Sequence, residues 1–126
     1  MKTFLFSVDL EGARVGDSPY RIQRVADMTR KYLDFLSAHK ARATFFVVGQ
    51  TAVVMPGLIQ EIITAGHEIA CHSHTHAPLY EHTPESFRID LHNNISALKT
   101  AGAHDIRGFR APILSLTAAT QWVYPI

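Results

Sequence analysis

The chain has 126 residues, 47% of them apolar, and its twelve basic and eleven acidic side chains leave a formal charge of +1. That length supports one domain with a real core and leaves no room for two ordinary ones, and the composition gives no reason for disorder. The charges form neither a like-signed run nor a basic stripe interleaved with aromatics, which excludes nucleic acid and acidic membrane surfaces as expected partners.

Thr3 to Val8 is rich in β-branched and aromatic residues and almost continuous in its apolarity, which predicts a strand buried on both faces. The apolar run after Lys2 is too short for a secretory signal or a membrane span, so a cytoplasmic location is the default expectation. The strand leads into Asp9-Leu10-Glu11-Gly12. If the backbone stays extended there, Asp9 and Glu11 point to one side and Leu10 to the other, so two carboxylates meet. Ser18-Pro19 offers an N-cap followed by proline at the first helical position. Ile22, Val25, Tyr32, Leu33 and Leu36 then recur at helical spacing, as in an amphipathic helix lying on a sheet. Residues 43–48, Ala-Thr-Phe-Phe-Val-Val, predict a second buried strand closed by Gly49. A helical segment restarted at Pro56-Gly57 carries Leu58, Ile59, Ile62 and Ile63 to a stop at Gly66.

Ile69 and Ala70 read as the end of a third short strand, and histidines crowd the loop that follows. Five of the eight histidines lie between His67 and His82. His72 and His76 share one side of a helical turn, whereas His72 and His74 share a side if the chain stays extended; either geometry can hold a divalent metal. Taken alone, such a pair carries little weight, because loop histidines are as often capped or solvated. His67 and His74 are expected to hydrogen-bond within the loop and to face solvent, and Cys71, the one cysteine, to be a small buried residue beside the cluster.

Thr83-Pro84 opens another helix, with Phe87, Leu91, Ile95 and Leu98 on one face and Gly102 at its end. Ile106 to Phe109 predicts a fourth strand ended by Arg110-Ala111-Pro112, and a further helix is expected from Thr117. Strand and helix thus alternate, which argues for an α/β fold with a parallel sheet and outer helices. In such folds the loops after the C-terminal strand ends carry the chemistry. Asp9 and Glu11 follow the first strand, the histidines the third and Arg110 the fourth, so all of them fall on one rim.

Two imidazoles and one carboxylate with an open position form a common ligand set for catalytic zinc, and a second carboxylate beside the metal can take a proton from water. On this reading Glu11, His72 and His76 hold one divalent ion, with zinc the expected one. Asp9 is the general base, kept ionised and oriented by Arg110. The bland reading of Arg110 is a structural ion pair.

The runs Ser7-Val8-Asp9-Leu10-Glu11, Ala43 to Gly49, Gly66 to His76 and Gly108-Phe109-Arg110-Ala111-Pro112 together resemble the polysaccharide deacetylase family, carbohydrate esterase family 4. The resemblance implies a distorted (β/α) barrel and a divalent metal. It also implies removal of N- or O-acetyl groups from an acetylated carbohydrate substrate. Position by position it implies Asp9 as base, His72 and His76 as ligands, Arg110 as the group that steadies Asp9, and the backbone N–H of Ile113 as an oxyanion donor.

Three departures stand out. Many members carry adjacent aspartates where this chain has Asp9-Leu10-Glu11, and many place an aromatic residue where Ile113 stands. Members also continue for several more strands to a late histidine that protonates the leaving amine. A complete barrel takes about 250 residues, so the chain is expected to form its first half as one domain, residues 1–126. An open strand edge and an apolar inner face would then invite self-association, and the piece alone is expected to turn over slowly or not at all. Two other readings stay open: a metal-dependent hydrolase of a non-sugar amide or cyclic ureide, and a metal-binding or assembly module without catalysis.

Overall fold

A computed structural model describes residues 4–126; Thr3, where the opening strand was expected to begin, lies outside the described residues. Three short parallel strands, β1 (Ser7–Leu10), β2 (Thr44–Val47) and β3 (Glu68–Cys71), form a sheet in the order β1-β2-β3. The connections carry helices α1 (Pro19–Ala38), α2 (Gly49–Val54) and α3 (Pro56–Thr64), and α4 (Pro84–Thr100) follows β3. This is the expected α/β arrangement, the first part of a distorted barrel with helices outside a parallel sheet.

The register decides what each face of the sheet carries. Val8, Phe45 and Ile69 lie in one row, and Leu10, Val47 and Cys71 in another. All six belong to the main core, where they pack with Ala26 and Leu36 of α1, Ala52 of α2, Leu58, Ile59 and Ile62 of α3 and Leu98 of α4. The opposite face carries the rows Ser7, Thr44, Glu68 and Asp9, Phe46, Ala70. It is mixed in polarity, not apolar as expected, because Ser7, Asp9, Thr44 and Glu68 alternate onto it. Nor is β1 buried on both faces. It lies at the sheet edge, Ser7 and Asp9 are exposed, and Phe4 and Leu5 just before it are more than nine-tenths exposed, at 94% and 93%.

The helix starts follow the sequence signals. Ser18 Oγ accepts the Arg21 N–H at 3.3 Å, ahead of Pro19, and Thr83 forms a reciprocal capping box with Ser86 ahead of Pro84. The buried stripe of α1 runs through Ala26, Thr29 and Leu36, so Tyr32, expected inside, is rotated out and exposed. Thr29 is tolerated in that stripe because its hydroxyl donates to the Val25 carbonyl at 2.9 Å. Met55 separates α2 from α3 with φ −135°, as expected of a residue held out of the helical region by the proline that follows.

Two expected elements are reduced. The fourth strand is a single parallel bridge, Cys71 to Phe109, in which Cys71 N–H donates to Gly108 O at 2.8 Å and Arg110 N–H to Cys71 O at 2.9 Å. Pro112, which has no N–H to donate, follows at once and stops the pairing. The last element is a 3-10 helix over Ala118–Val123, with Pro125 directly beyond its end, in place of the expected α-helix. Among the described residues no helix is long and apolar enough to cross a membrane.

His67 is not a solvated loop residue. It is buried at the entrance to β3, where its Nδ1 accepts the Ala43 N–H at 3.3 Å and its ring stands 5.5 Å from that of Phe45. Burial, with a smaller push from Arg42, holds its pKa below the usual histidine value. The unfolded chain therefore takes up this proton more readily than the native one. The stability concerned is fully present above about pH 6.5 and is lost as the pH falls towards the native value. Urea unfolding between about pH 7.5 and 5.5 should show a smaller acid loss in His67→Gln than in the parent chain; an identical loss would contradict this role.

Candidate metal centre

Each side chain at the rim reaches its place by a local rule. Asp9 is on the open face of β1, and Glu11, two residues on, continues to the same side while Leu10 enters the core. His72 follows directly on β3. The histidine loop is not a helical turn. Ser73 and His76 have φ of 66° and 64°, and these two left-handed residues fold the loop back on itself. His76 N–H donates to Ser73 Oγ at 3.1 Å across that turn.

The result is a convergence of three residues. One ligand atom each from Glu11, His72 and His76 lies within 4.8 Å of the others. His72 Nε2 is 3.1 Å and His76 Nε2 2.6 Å from Glu11 Oε2, and the two rings sit edge to face with centroids 5.1 Å apart. His74 takes no part in this cluster.

The donor set of the cluster is one that can hold a cation. His72 is almost fully buried, and its Nδ1 lies 2.7 Å from the carbonyl of Arg110, to which it can only donate. Nε2 then faces Glu11 Oε2 at 3.1 Å, the position from which a ring nitrogen can share a cation with the carboxylate. His76 Nε2 is buried and has no hydrogen-bond partner among the described residues, although Glu11 is so close. Two imidazole nitrogens and a carboxylate oxygen are a donor set that suits a metal such as zinc. The His72-to-carbonyl bond is the outer contact that fixes a ligand histidine's tautomer.

Asp9 stands beside this group and is held separately. Arg110 Nη1 donates to Asp9 Oδ1 at 2.6 Å and Nη2 to Ser7 Oγ at 2.9 Å, while the guanidinium lies 4.0 Å above the Phe46 ring. Ser7, Asp9 and Phe46 all belong to the open face, so Arg110 is laid flat on the sheet by three anchors. Asp9 Oδ2 remains 3.9 Å from His72 Nε2. Ile113, beyond Pro112, has φ 55°, and its side chain is exposed.

Several residues that build the site escaped the sequence reading. Ser7 and Phe46 anchor Arg110. Asp90 and Asn94 of α4 accept the backbone N–H groups of the histidine loop. The signal for them was present: Phe87, Asp90, Asn94 and Leu98 form the buried stripe of α4, so two polar residues occupy core positions. His74, expected in solvent, is half-buried, with its ring against Gly49. Cys71 is buried as expected, and burial pushes its thiol up to about 11.

The family profile described as "Polysaccharide deacetylase" matches residues 16–124, a span that includes His72, His76 and Arg110 and begins after Asp9 and Glu11. A chitooligosaccharide deacetylase of Bradyrhizobium sp. (strain ANU 289) is 34% identical over 85 residues, covering 67% of this chain and 39% of that protein. A family 4 carbohydrate esterase from Streptomyces lividans, solved in complex with acetate, is 26% identical with a TM-score of 0.71. That match covers 94% of this chain and 54% of the esterase. A family 4 pseudoenzyme from Bacillus anthracis shares the fold at 20% identity and a TM-score of 0.71, over 94% of this chain and 38% of its own. The chain thus spans between 38% and 54% of the length of these three proteins.

Gly49 offers a test of how tightly the histidine loop is packed. A Cβ there would lie 2.2 Å from His74 Nδ1, whereas one at Gly57 meets open space. Gly49→Ala should lower unfolding stability by about 1–3 kcal/mol. Gly57→Ala should leave it unchanged or raise it by up to about 1 kcal/mol. Equal effects at the two sites in urea titrations would contradict the packing described.

Proposed function

We propose, because the chain belongs to the polysaccharide deacetylase family, that its rim is the centre of a divalent-metal-dependent hydrolase that releases acetate from an acetylated carbohydrate. The observation that carries the proposal is the convergence of Glu11, His72 and His76 beside an aspartate held by Arg110. Glu11, His72 and His76 would hold the ion, and the two-nitrogen, one-oxygen set favours zinc. When bound, the cation would polarise the acetyl carbonyl and make water more acidic.

The protein's own groups do the rest. Asp9 takes the proton that water loses as it adds to the acetyl carbon. Arg110 suits Asp9 to that task by geometry: its 2.6 Å bond fixes one oxygen while leaving the other on the side of His72. Ser7 and Phe46 keep the guanidinium from following the substrate. The N–H of Ile113 is the assigned donor to the carbonyl oxygen as charge gathers there, and a left-handed backbone at a β-branched residue is the kind of strain that such sites retain. Addition of water forms the new carbon–oxygen bond, and the acyl bond breaks as the sugar nitrogen or oxygen leaves carrying a proton that balances the one taken from water. The carbohydrate class follows the relatives, one of which is named a chitooligosaccharide deacetylase.

Calorimetric titration of metal-free protein with zinc should give about one ion per chain, and His72→Ala or His76→Ala should weaken binding by about 10–100-fold or more. Asp9→Asn should keep the metal and abolish any acetate release that the parent chain shows from an N-acetylated chitooligosaccharide. Unchanged affinity in both histidine variants, or full activity in Asp9→Asn, would overturn these assignments.

Self-association is the second part of this reading. The outer edge of β1 has no strand partner among the described residues, and Phe4, Leu5, Phe6, Met28 and Phe35 are exposed. Light scattering behind size exclusion should show dimers or larger species that dissociate on dilution and are weakened in Phe35→Lys; a monomer at all concentrations would refute it.

A further inference from the structure

The histidine loop is clamped from two sides by elements that contribute nothing to the ligand set. On one side, the first N–H groups of α2 take its carbonyls: Gly49 N–H donates to Ser73 O at 3.0 Å and Gln50 N–H to His74 O at 3.1 Å. On the other, α4 takes its amides. Asp90 Oδ2 accepts the His74 N–H at 2.8 Å, and Asp90 Oδ1 accepts the Thr75 N–H at 3.2 Å and the Thr75 hydroxyl at 2.9 Å. Asn94 Oδ1 accepts the His72 N–H at 3.2 Å, and its Nδ2 donates to Val47 O at 3.1 Å, tying the loop to the end of β2. Both α4 side chains are buried, Asp90 at 6% and Asn94 at 0% exposure.

We propose that Asp90 is a positioning residue for the metal-binding histidines. The proposal rests on the reading of Glu11, His72 and His76 as ligands, and assigns to Asp90 the task of holding His72 and His76 at the spacing that the ion requires. The loop needs such a device because its path is unfavourable by itself. Ser73 and His76 both lie in the left-handed region that non-glycine residues seldom adopt. The amides between them point at one carboxylate, and a carboxylate alone among side chains can accept all three bonds with no donor of its own to turn away. Burial makes the requirement stricter for Asp90 itself, since at 6% exposure its carboxylate depends on these loop donors for its hydrogen bonds.

Asp90→Asn is the sharpest variant. It keeps the size but replaces one accepting oxygen with an NH₂ group that faces donors, so at least one loop amide loses its partner. Thr75→Val is the milder companion; it removes the hydroxyl bond and leaves both amide bonds. Ser18→Ala serves as the control, because it removes a cap of α1 that makes no hydrogen bond to the histidine loop and lowers stability by a different route. Zinc affinity by calorimetry and the visible spectrum of the cobalt(II)-loaded chain would be measured for all three, with backbone amide exchange followed in the metal-free proteins.

Asp90→Asn should bind zinc at least about tenfold more weakly, within the range for outer contacts of a metal site. Its cobalt bands should be altered, and exchange at His74 and Thr75 should be faster. Thr75→Val should show a smaller change in the same direction, and Ser18→Ala none. Parental affinity and spectrum in Asp90→Asn, or an equal loss in Ser18→Ala, would overturn the proposal. If the parent chain binds no metal, the ligand assignment fails by itself. Amide exchange then decides the positioning claim: faster exchange confined to the loop in Asp90→Asn supports it, and parental protection refutes it.

Discussion

The arrangement depends on the two sides of one imidazole. His72 gives the hydrogen on Nδ1 to the main-chain carbonyl of Arg110 and turns Nε2 towards Glu11. The first contact fixes the ring's orientation, with Nδ1 as a donor; the second places Nε2 beside a carboxylate oxygen. Neither could hold without the single bridge that brings residues 108–110 alongside β3. The same short pairing also sets Arg110 over the open face, where its guanidinium reaches Asp9 and Ser7. One backbone contact therefore organises both halves of the site, the buried histidine and the aspartate.

The sheet separates stability from chemistry by face. Rows through Val8 and Leu10 run into the helix-covered core, and rows through Ser7 and Asp9 form the open surface. Because strand side chains alternate, each residue added beyond β1 has its face decided in advance, and this puts Glu11 beside Asp9 rather than against α1. The apolar rows supply the rigidity that a site with mostly half-exposed acids lacks. The histidine loop is the exception, since it leaves the sheet and must be fixed by α2 and α4.

The sequence made much of this legible. Ser18-Pro19 and Thr83-Pro84 marked helix starts because capping needs particular side chains at particular places. Asp9, Glu11, His72 and Arg110 stood out because each is polar at or just past the end of an apolar run, and His76 because it lies four residues from His72. Other features were hidden for physical reasons. Tyr32 fits a helical spacing, but the choice between it and Ala26 depends on how α1 is rotated over the sheet, which is a property of packing. The fourth strand was overestimated because Ile106 to Phe109 has strand composition, while pairing depends on the geometry before Pro112. Asp90 and Asn94 were passed over because a search for apolar periodicity skips the polar residues that share the stripe.

The central claim is that His72 and His76 present Nε2 to a cation while Nδ1 of His72 stays bonded to Arg110. Long-range proton–nitrogen correlation spectra of the histidine rings, recorded before and after one equivalent of zinc, test it most directly. The account predicts that Nε2 of these two rings alone moves to a metal-bound shift, with Nδ1 of His72 still protonated. A zinc-induced shift at His74 or His67, or at Nδ1 of His72, would contradict it.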